Sequence, residues 1–536
     1  MGVPGFFRWL NDKDEKKELI KKTMEIEIDN LYLDLNCALH PQCFKILDEN
    51  PEFKSYQELE EKMIIQSIKY LDEIINYVKP KKMIYIGIDG VAPMGKIKQQ
   101  RYRRYKSVND KRLFDNIKKK YNKPINRYWN NSAITPGTLF LNKIKEAIIK
   151  YCKERKEKII FSSGNTPGEG EHKIIQKIKK IENENHVIYG LDADLLFLAL
   201  ATEKENIYLL REANQFKKHQ EGFNYVSINR LKKIIVEIFN NEIEDYELEE
   251  KRVVLDFILI CFFLGNDFIP HLPSTDIYHH GMDIIIKEYL EILKETNKYI
   301  YKENKKINST FIIKLIEKIE EKEKENLKLI RKDNLEKKIP NYLHGYEREM
   351  YKIENLLFKI DDPILLGEEG YRERYYIHYG LMDKIDNMCE EYIKSISWIS
   401  QYYIKECPSW EYYYPYDIAP LAEDLREYVK KRDIKLLINY HFEKGNSLRP
   451  YEQLALVLPT SSFNLLPKKI TDELRKEKDI YIEKYDLDLL NKSKYFKVIP
   501  ILPDFRVEKV KEIINKIELS GYEKTLNSFE KEYKFN

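Results

Sequence analysis

The 536-residue sequence holds no CxxC pair; its six cysteines stand at 37, 43, 152, 261, 389 and 407. That scatter indicates neither a zinc site nor a disulfide framework, and reduced structural thiols are expected. No run approaches the roughly 20 apolar residues of a membrane helix, and the mean hydropathy is −0.58. The opening MGVPGFFRWL lacks the basic and apolar regions of a secretory leader, and Phe6 stands where a myristoylation signal has Ser or Thr. An intracellular protein without membrane association is expected. Net charge is also nearly absent, because 92 Lys and Arg face 89 Asp and Glu. Affinity for a polyanion must then come from local clustering. What is present argues for a folded chain: 43 % of residues are hydrophobic and 12 % aromatic, and the length allows two or more structural units.

The first 290 residues alternate short β-branched or aromatic runs with helical stretches, the runs being IEIDNLYLDL, KMIYIGID, KIIFSSG, HVIYGLD and IYLLRE. This pattern predicts an α/β fold, a mostly parallel twisted sheet flanked by helices. Ligands of such sheets bind beyond the carboxyl ends of the strands. Residues 291–339 include the charged stretch EKIEEKEKENLKLIRKDNLEKK, which reads as a solvated helical linker or insertion. From 340 to 536 the chain is again aromatic and apolar, as in ISWISQYYIKECPSWEYYYPY, and reads as a second packed region.

Seven carboxylates stand apart from the other acidic residues: Asp34, Asp89, Glu169, Glu171, Asp192, Asp194 and Asp267. Each falls at the end of an apolar run or just beyond it. An ionised carboxylate beside a core is costly unless paired or metal-bound, and several together raise one another's pKa. Divalent cations resolve the conflict, and oxygen-only donors suit Mg²⁺ or Mn²⁺. Two such ions about 3.5–4 Å apart clamp the attacking and leaving oxygens of a phosphodiester. Hydrolysis of a nucleic-acid backbone follows as the expected chemistry. Taken singly, any of these acids could equally be a helix cap or a salt-bridge partner.

Directly after Asp89 comes GVAPMGKIKQQRYRRYKS, in which Lys96, Lys98, Arg101, Arg103, Arg104 and Lys106 place six positive charges within eleven residues. A one-signed cluster interleaved with Gln99, Gln100, Tyr102 and Tyr105 suits phosphate recognition; a generic basic helix is the alternative. His40, just past Asp34, could stack on a base or simply pack. Trp398 and Trp410 lie in aromatic-rich stretches and carry the same two readings, stacking on single strands or core packing.

Taken in order, LYLDLNCALH, IDGVAPMGKIKQQRYRRYKS, ITPGTLF, PGEGEHKI, YGLDADLLFL, LLRE and GNDFIPHLP resemble the XRN family of 5′→3′ exoribonucleases. GYRERYY, CPSWEYYYPYDIAP, LALVLPTSSFNLLP and FKVIPILPDF resemble that family's second region, so the likeness covers nearly the whole chain. The resemblance implies a PIN/FEN-like nuclease core over 1–290, a charged insertion over 291–339, and a second, mainly helical region over 340–536 that packs on and covers the active site. It implies that the seven carboxylates bind two Mg²⁺ ions, with Mn²⁺ able to substitute. Lys96, Gln100, Arg103 and Arg104 would form a 5′-phosphate pocket, and His40 and Trp410 would sandwich the leading bases. The implied activity is processive hydrolysis of 5′-monophosphorylated single-stranded RNA in RNA decay, by a cytoplasmic monomer without the long carboxyl-terminal extension of the large members.

Three positions depart from the family pattern: Cys37 replaces a usual glycine, Met94 a usual basic residue, and Tyr412 a usual tryptophan. The loss of charge at Met94 weakens the expectation of strict monophosphate selection. Two rival functions remain open at this point, a structure-specific 5′ flap DNA nuclease and a catalytically silent RNA-binding scaffold.

Overall fold

The computed structural model describes residues 6–11, 19–125, 128–213, 222–243, 246–358 and 360–536. The first five residues of the MGVPGFFRWL motif therefore lie outside the described residues. Two compact units form, and each is assembled from three separate stretches of chain. The sheet unit comprises Glu18–Asn229, Gly445–Asp486 and Pro500–Asn536, and the helical unit Met1–Lys17, Arg230–Lys444 and Leu487–Ile499. Neither limit coincides with the sequence boundaries at 290 and 339.

Among the described residues the sheet of this unit has eight strands: β1 (Ile20–Lys21), β2 (Asn30–Asp34), β3 (Met83–Gly87), β4 (Ile159–Ser162), β5 (His186–Tyr189), β6 (Ile207–Glu212), β7 (Phe223–Ser227) and β8 (Tyr533–Phe535). Their order across the sheet is β1-β7-β6-β5-β2-β3-β4-β8. The five central strands, β6 to β4 in that order, run parallel. β1 and β7 are antiparallel to their neighbours, and so is β8, which pairs with β4. Central strands such as NLYLD and MIYIG are buried at every position, which is why they read as continuous apolar runs: both faces of a parallel sheet are covered.

Six helices of this unit position the site: α1 (Asn36–Glu49), α2 (Tyr56–Val78), α3 (Met94–Lys120), α4 (Leu139–Lys153), α5 (Gly170–Ile178) and α6 (Asp194–Ala201). Leu31, Leu33, Ile84, Ile86 and Phe161 of the sheet join Leu59, Met63, Leu71 and Ile74 of α2 and Phe140, Leu141 and Ile144 of α4 in one buried cluster. Ser55 starts α2 by accepting the Glu58 N–H on its Oγ at 3.2 Å, which satisfies one of the donors that every helix start leaves unpaired. From β2 the chain goes on to β3 and β4 on one side and to β5 and β6 on the other. The order reverses at β2, and in sheets of this kind ligands bind at the carboxyl ends of the strands at such a point.

The helical unit corrects one expectation. The charged stretch holds a 28-residue helix, Ser309–Glu336, that buries Phe311, Ile312, Leu315, Ile316, Ile319, Glu323 and Leu327. These recur every three or four residues, so one face packs, against helices Gly281–Thr296 and Ala422–Lys431. The Glu323 carboxylate accepts the Ala422 and Glu423 N–H groups at 2.7 and 3.0 Å, capping that last helix.

Candidate active site

Strand register sets the carboxylates in place. Asp34 ends β2 opposite Gly87 at the end of β3, Gly87 lies opposite Ser162 at the end of β4, and Leu33 lies opposite Tyr189 at the end of β5. Asp89 follows β3, Glu169 immediately precedes α5 with Glu171 in its first turn, and Asp192 follows β5 with Asp194 opening α6. The pair at 169 and 171 can approach the strand ends because residue 170 is glycine. A Cβ there would lie 2.8 Å from Asp34 Oδ1 and 3.4 Å from Asp89 Oδ1. Gly90 serves the turn after β3 likewise, since a Cβ on it would sit on the backbone carbonyl of Thr166.

Asp34, Glu169, Glu171 and Asp194 are buried, whereas Asp192 is exposed. Burial, then Asp89 and Asp192, push the Asp34 carboxyl well above the usual range. Burial, then Asp194 and Glu169, do the same to Glu171. Asp89 is raised to about 6 by burial and by Glu169, although it accepts the Gly170 N–H at 2.7 Å. Six of the seven carboxylates thus act on one another in a single unit. Asp267 belongs to the helical unit, after the turn Cys261–Leu264.

Two buried oxygens, Asp34 Oδ1 and Glu171 Oε2, have no hydrogen-bond partner among the described residues. Orphaned buried acceptors are costly, and a hard cation is the species that would satisfy several at once. The residues present therefore fit a divalent metal centre at the strand ends. Asp34, Cys37 and Asp192 each bring one donor atom within 4.8 Å of the others'.

The basic cluster of α3 divides by environment. Lys96 is buried and reaches Glu169 Oε1 at 2.7 Å and Asp194 Oδ2 at 4.0 Å. Gln100 Oε1 accepts from Gln453 Nε2 at 3.0 Å. Arg103 is exposed. Arg104 donates to Thr135 Oγ1 at 2.8 Å, and burial, then Arg103, lower its pKa to about 9. Arg101 is structural: it is buried, donates to the Ile480 carbonyl at 3.2 Å, and lies 5.7 Å from the Tyr105 and Phe505 ring centres. His40, on α1, is lowered to about 4 by burial and by the positive charges of Arg103 and Arg104. Its imidazole is neutral near pH 7.

In the helical unit, Trp398 is a core residue. It is 2 % exposed, donates to the Ser409 carbonyl at 3.1 Å and stacks on Tyr402 with ring centres 4.7 Å apart. The Trp410 side chain is half-buried.

Comparison with known proteins matches residues 1–213 to the XRN 5′-3′ exonuclease N-terminus and residues 246–352 and 347–535 to the Xrn1 helical domain. The chain belongs to the XRN family. It is 31 % identical over 582 residues to 5′-3′ exoribonuclease 1 of Homo sapiens, covering 94 % of this chain and 33 % of that protein. It is 27 % identical over 693 residues to 5′-3′ exoribonuclease 1 of Saccharomyces cerevisiae, covering 100 % of this chain and 45 % of the relative. With 5′-3′ exoribonuclease 2 of Debaryomyces hansenii it shares 27 % identity over 710 residues, 96 % of this chain and 70 % of the relative. The XRN chain thus spans a third to somewhat over two thirds of the relatives it matches. Among solved structures, the catalytic core of Rad2 in complex with DNA substrate aligns with 69 % of this chain and 85 % of its own at 11 % identity, with a TM-score of 0.28. That likeness is too slight to carry the fold.

The departures of this XRN chain from the family pattern have definite places. The Cys37 thiol donates to Asp34 Oδ2 at 3.0 Å. Met94 is buried at the start of α3. The Tyr412 hydroxyl lies 2.9 Å from Ser395 Oγ and 3.1 Å from Glu391 Oε2. Sequence reasoning missed two further residues. Asn36 Oδ1 accepts the Asp89 N–H at 3.1 Å, fixing the turn after β3. Lys173 donates to the Ile88 and Ser163 carbonyls at 2.8 and 3.0 Å, and burial lowers its pKa to about 7. Both lie inside quoted motifs, so the signal was proximity in sequence to the acids they support.

Proposed function

We propose that this chain is a processive 5′→3′ exoribonuclease that hydrolyses 5′-monophosphorylated single-stranded RNA to nucleoside 5′-monophosphates. The observation that carries the reading is the set of six interacting carboxylates at the ends of parallel strands, two of them with orphaned buried oxygens. The family relatives, named 5′-3′ exoribonucleases, supply the polarity and the substrate class.

Asp34, Asp89, Glu169, Glu171, Asp192 and Asp194 are the donors for two Mg²⁺ ions in this reading. When bound, such ions stabilise charge on the attacking and leaving oxygens and lower the pKa of water. Asp267 and Trp410 enter by family resemblance alone. Lys96 offsets the negative charge of Glu169 and Asp194, which keeps the acids close together before RNA arrives. Arg103 and Arg104 hold the terminal phosphate by charge-assisted hydrogen bonds, with Arg104 aimed by Thr135 and Gln100 held by Gln453. His40 is neutral and offers a ring face to the first base without adding charge. A capped end is excluded because the pocket closes on a bare phosphate. In the cell the enzyme acts as a cytoplasmic monomer in RNA decay.

Comparing 5′-monophosphorylated RNA with a 5′ flap DNA tests the reading. Release of mononucleotides from the RNA while the flap stays intact supports it. Cleavage of the flap alone transfers the site to DNA, and no cleavage of either favours an RNA-binding scaffold.

A further inference from the structure

Between β4 and α5 the chain makes a turn, residues 163–168, that ends just before Glu169. One side of the turn is tied to the residues that follow β3, since the Gly90 N–H donates to the Gly168 carbonyl and the Gly168 N–H to the Val91 carbonyl, both at 2.9 Å. The other side is held by a segment far along the chain, residues 526–530. Ser163 Oγ donates to Glu530 Oε2 at 3.2 Å. The Glu530 N–H donates to the Asn165 carbonyl and the Thr166 hydroxyl to the Glu530 carbonyl, each at 3.1 Å. Asn165 Nδ2 donates to the Ser528 and Leu526 carbonyls at 2.8 and 3.3 Å. The Glu530 carboxylate is itself fixed by Lys145 Nζ of α4 and by the Tyr533 hydroxyl of β8, both at 2.9 Å.

We propose that Glu530 is a positioning residue for the metal site: through this turn it fixes where Glu169 and Glu171 enter the acidic cluster. The inference rests on the reading of those two acids as metal ligands. Glu530 touches no reacting group, and its effect is geometric. Ser163 and Asn165 are buried, and polar groups so placed are costly without partners, so their bonds to residues 526–530 hold the turn in one arrangement. The support is built on regular elements: β8 carries the segment onto the sheet edge beside β4, and Lys145 projects from a helix whose apolar face lies in the core. Ligands held this way keep the narrow tolerance that such a site demands. A displacement of about 1 Å can cost on the order of 100-fold in rate, and loss of an outer partner that holds a metal ligand costs about 10–100-fold in metal affinity.

The test is titration of the RNA-free full chain with Mn²⁺, read by the electron paramagnetic resonance signal of the unbound ion, for the native protein, Glu530→Ala and Tyr85→Phe. Each is measured at a temperature where circular dichroism shows it folded. The Tyr85 hydroxyl donates to Glu532 Oε1, so its removal loosens the same segment without touching the turn. Glu530→Ala should bind Mn²⁺ about tenfold more weakly than the native protein, while Tyr85→Phe should bind as the native protein does. Native affinity in Glu530→Ala overturns the proposal. Equal weakening in both variants also overturns it, because a general loss of support would then explain the effect, and so does absence of Mn²⁺ binding by the native protein. Should Glu530→Ala fail to fold, Thr166→Val decides, since it removes one tie to Glu530 and keeps the pair with Lys145. Weaker Mn²⁺ binding supports the proposal, and unchanged binding overturns it. Decay of 5′-monophosphorylated RNA by the native chain, measured separately, reports on the nuclease reading alone.

Discussion

Lys96 Nζ stands 2.7 Å from Glu169 Oε1 with both side chains buried. The first lysine of the one-signed cluster on α3 thus turns inward and serves the acidic cluster, while Arg103 of the same helix faces solvent.

Removing that internal cation should be expensive. Lys96→Met removes the buried cation that sits against Glu169 beside Glu171, Asp89 and Asp194. Breaking a buried pair in this way costs about 3–5 kcal/mol. Urea unfolding of the metal-free protein should show a loss of that order, and Mg²⁺ should recover part of it. A loss under about 1 kcal/mol, the range of surface pairs, would show that the bridge contributes little.

The raised acids set a pH dependence with a definite sign. Asp89 titrates at about 6 in the folded chain against 3.8 unperturbed, so the folded state holds its proton more tightly than the unfolded state. Stability of the metal-free protein should then fall as pH rises from about 4 to about 6. Adding Mg²⁺ should reverse the trend, because binding requires ionised carboxylates. Melting temperatures measured across that window, with and without Mg²⁺, check both halves.

Arg101 and Arg103 are two residues apart and should fail differently. Arg101→Ala removes a buried donor to the Ile480 carbonyl and should lower stability by about 1–3 kcal/mol. Arg103→Ala should leave stability within about 0.5 kcal/mol. It should cut the preference for 5′-monophosphate over 5′-hydroxyl RNA by roughly tenfold or more, as loss of a charge-assisted bond implies. Denaturation curves paired with end-selective decay rates separate the two.

His40 should act as a ring and not as a cation, since its pKa lies at about 4. His40→Phe should retain most RNA affinity at pH 7, and His40→Ala should lose about 1–3 kcal/mol of stacking. Equal losses in both variants would assign the imidazole a hydrogen-bonding role instead.

Much of this site could be read from the chain itself. Apolar runs that end in Asp34, Asp89 and Asp192 marked the parallel strands and the rim at once, because a fully buried strand is continuous and its first polar residue marks its exit. The strand β8 could not be read this way: three residues, YKF, at the far end of the sequence complete the edge beside β4, and no local pattern announces so distant a pairing. The inward turn of Lys96 onto Glu169 was not legible, because composition reports the sign of a cluster and not the direction of each side chain. The packed face of Ser309–Glu336 was hidden by its charge, although Phe311, Leu315, Ile319 and Leu327 keep helical spacing. Each unit is drawn from three separate stretches of chain, with Asp267 in the helical unit and the other six acids in the sheet unit, a division that no short motif encodes.

The most direct measurement is decay of matched RNAs carrying a 5′-monophosphate, triphosphate, hydroxyl or cap, in Mg²⁺, by the native chain and by Asp192→Ala. Asp192 is exposed, so its replacement removes a carboxylate from the cluster without disturbing the core. The expected result is stepwise loss of the monophosphate RNA alone, abolished by Asp192→Ala. Equal decay of all four ends, or decay that survives Asp192→Ala, would contradict the assignment of these carboxylates and of the basic residues beside them.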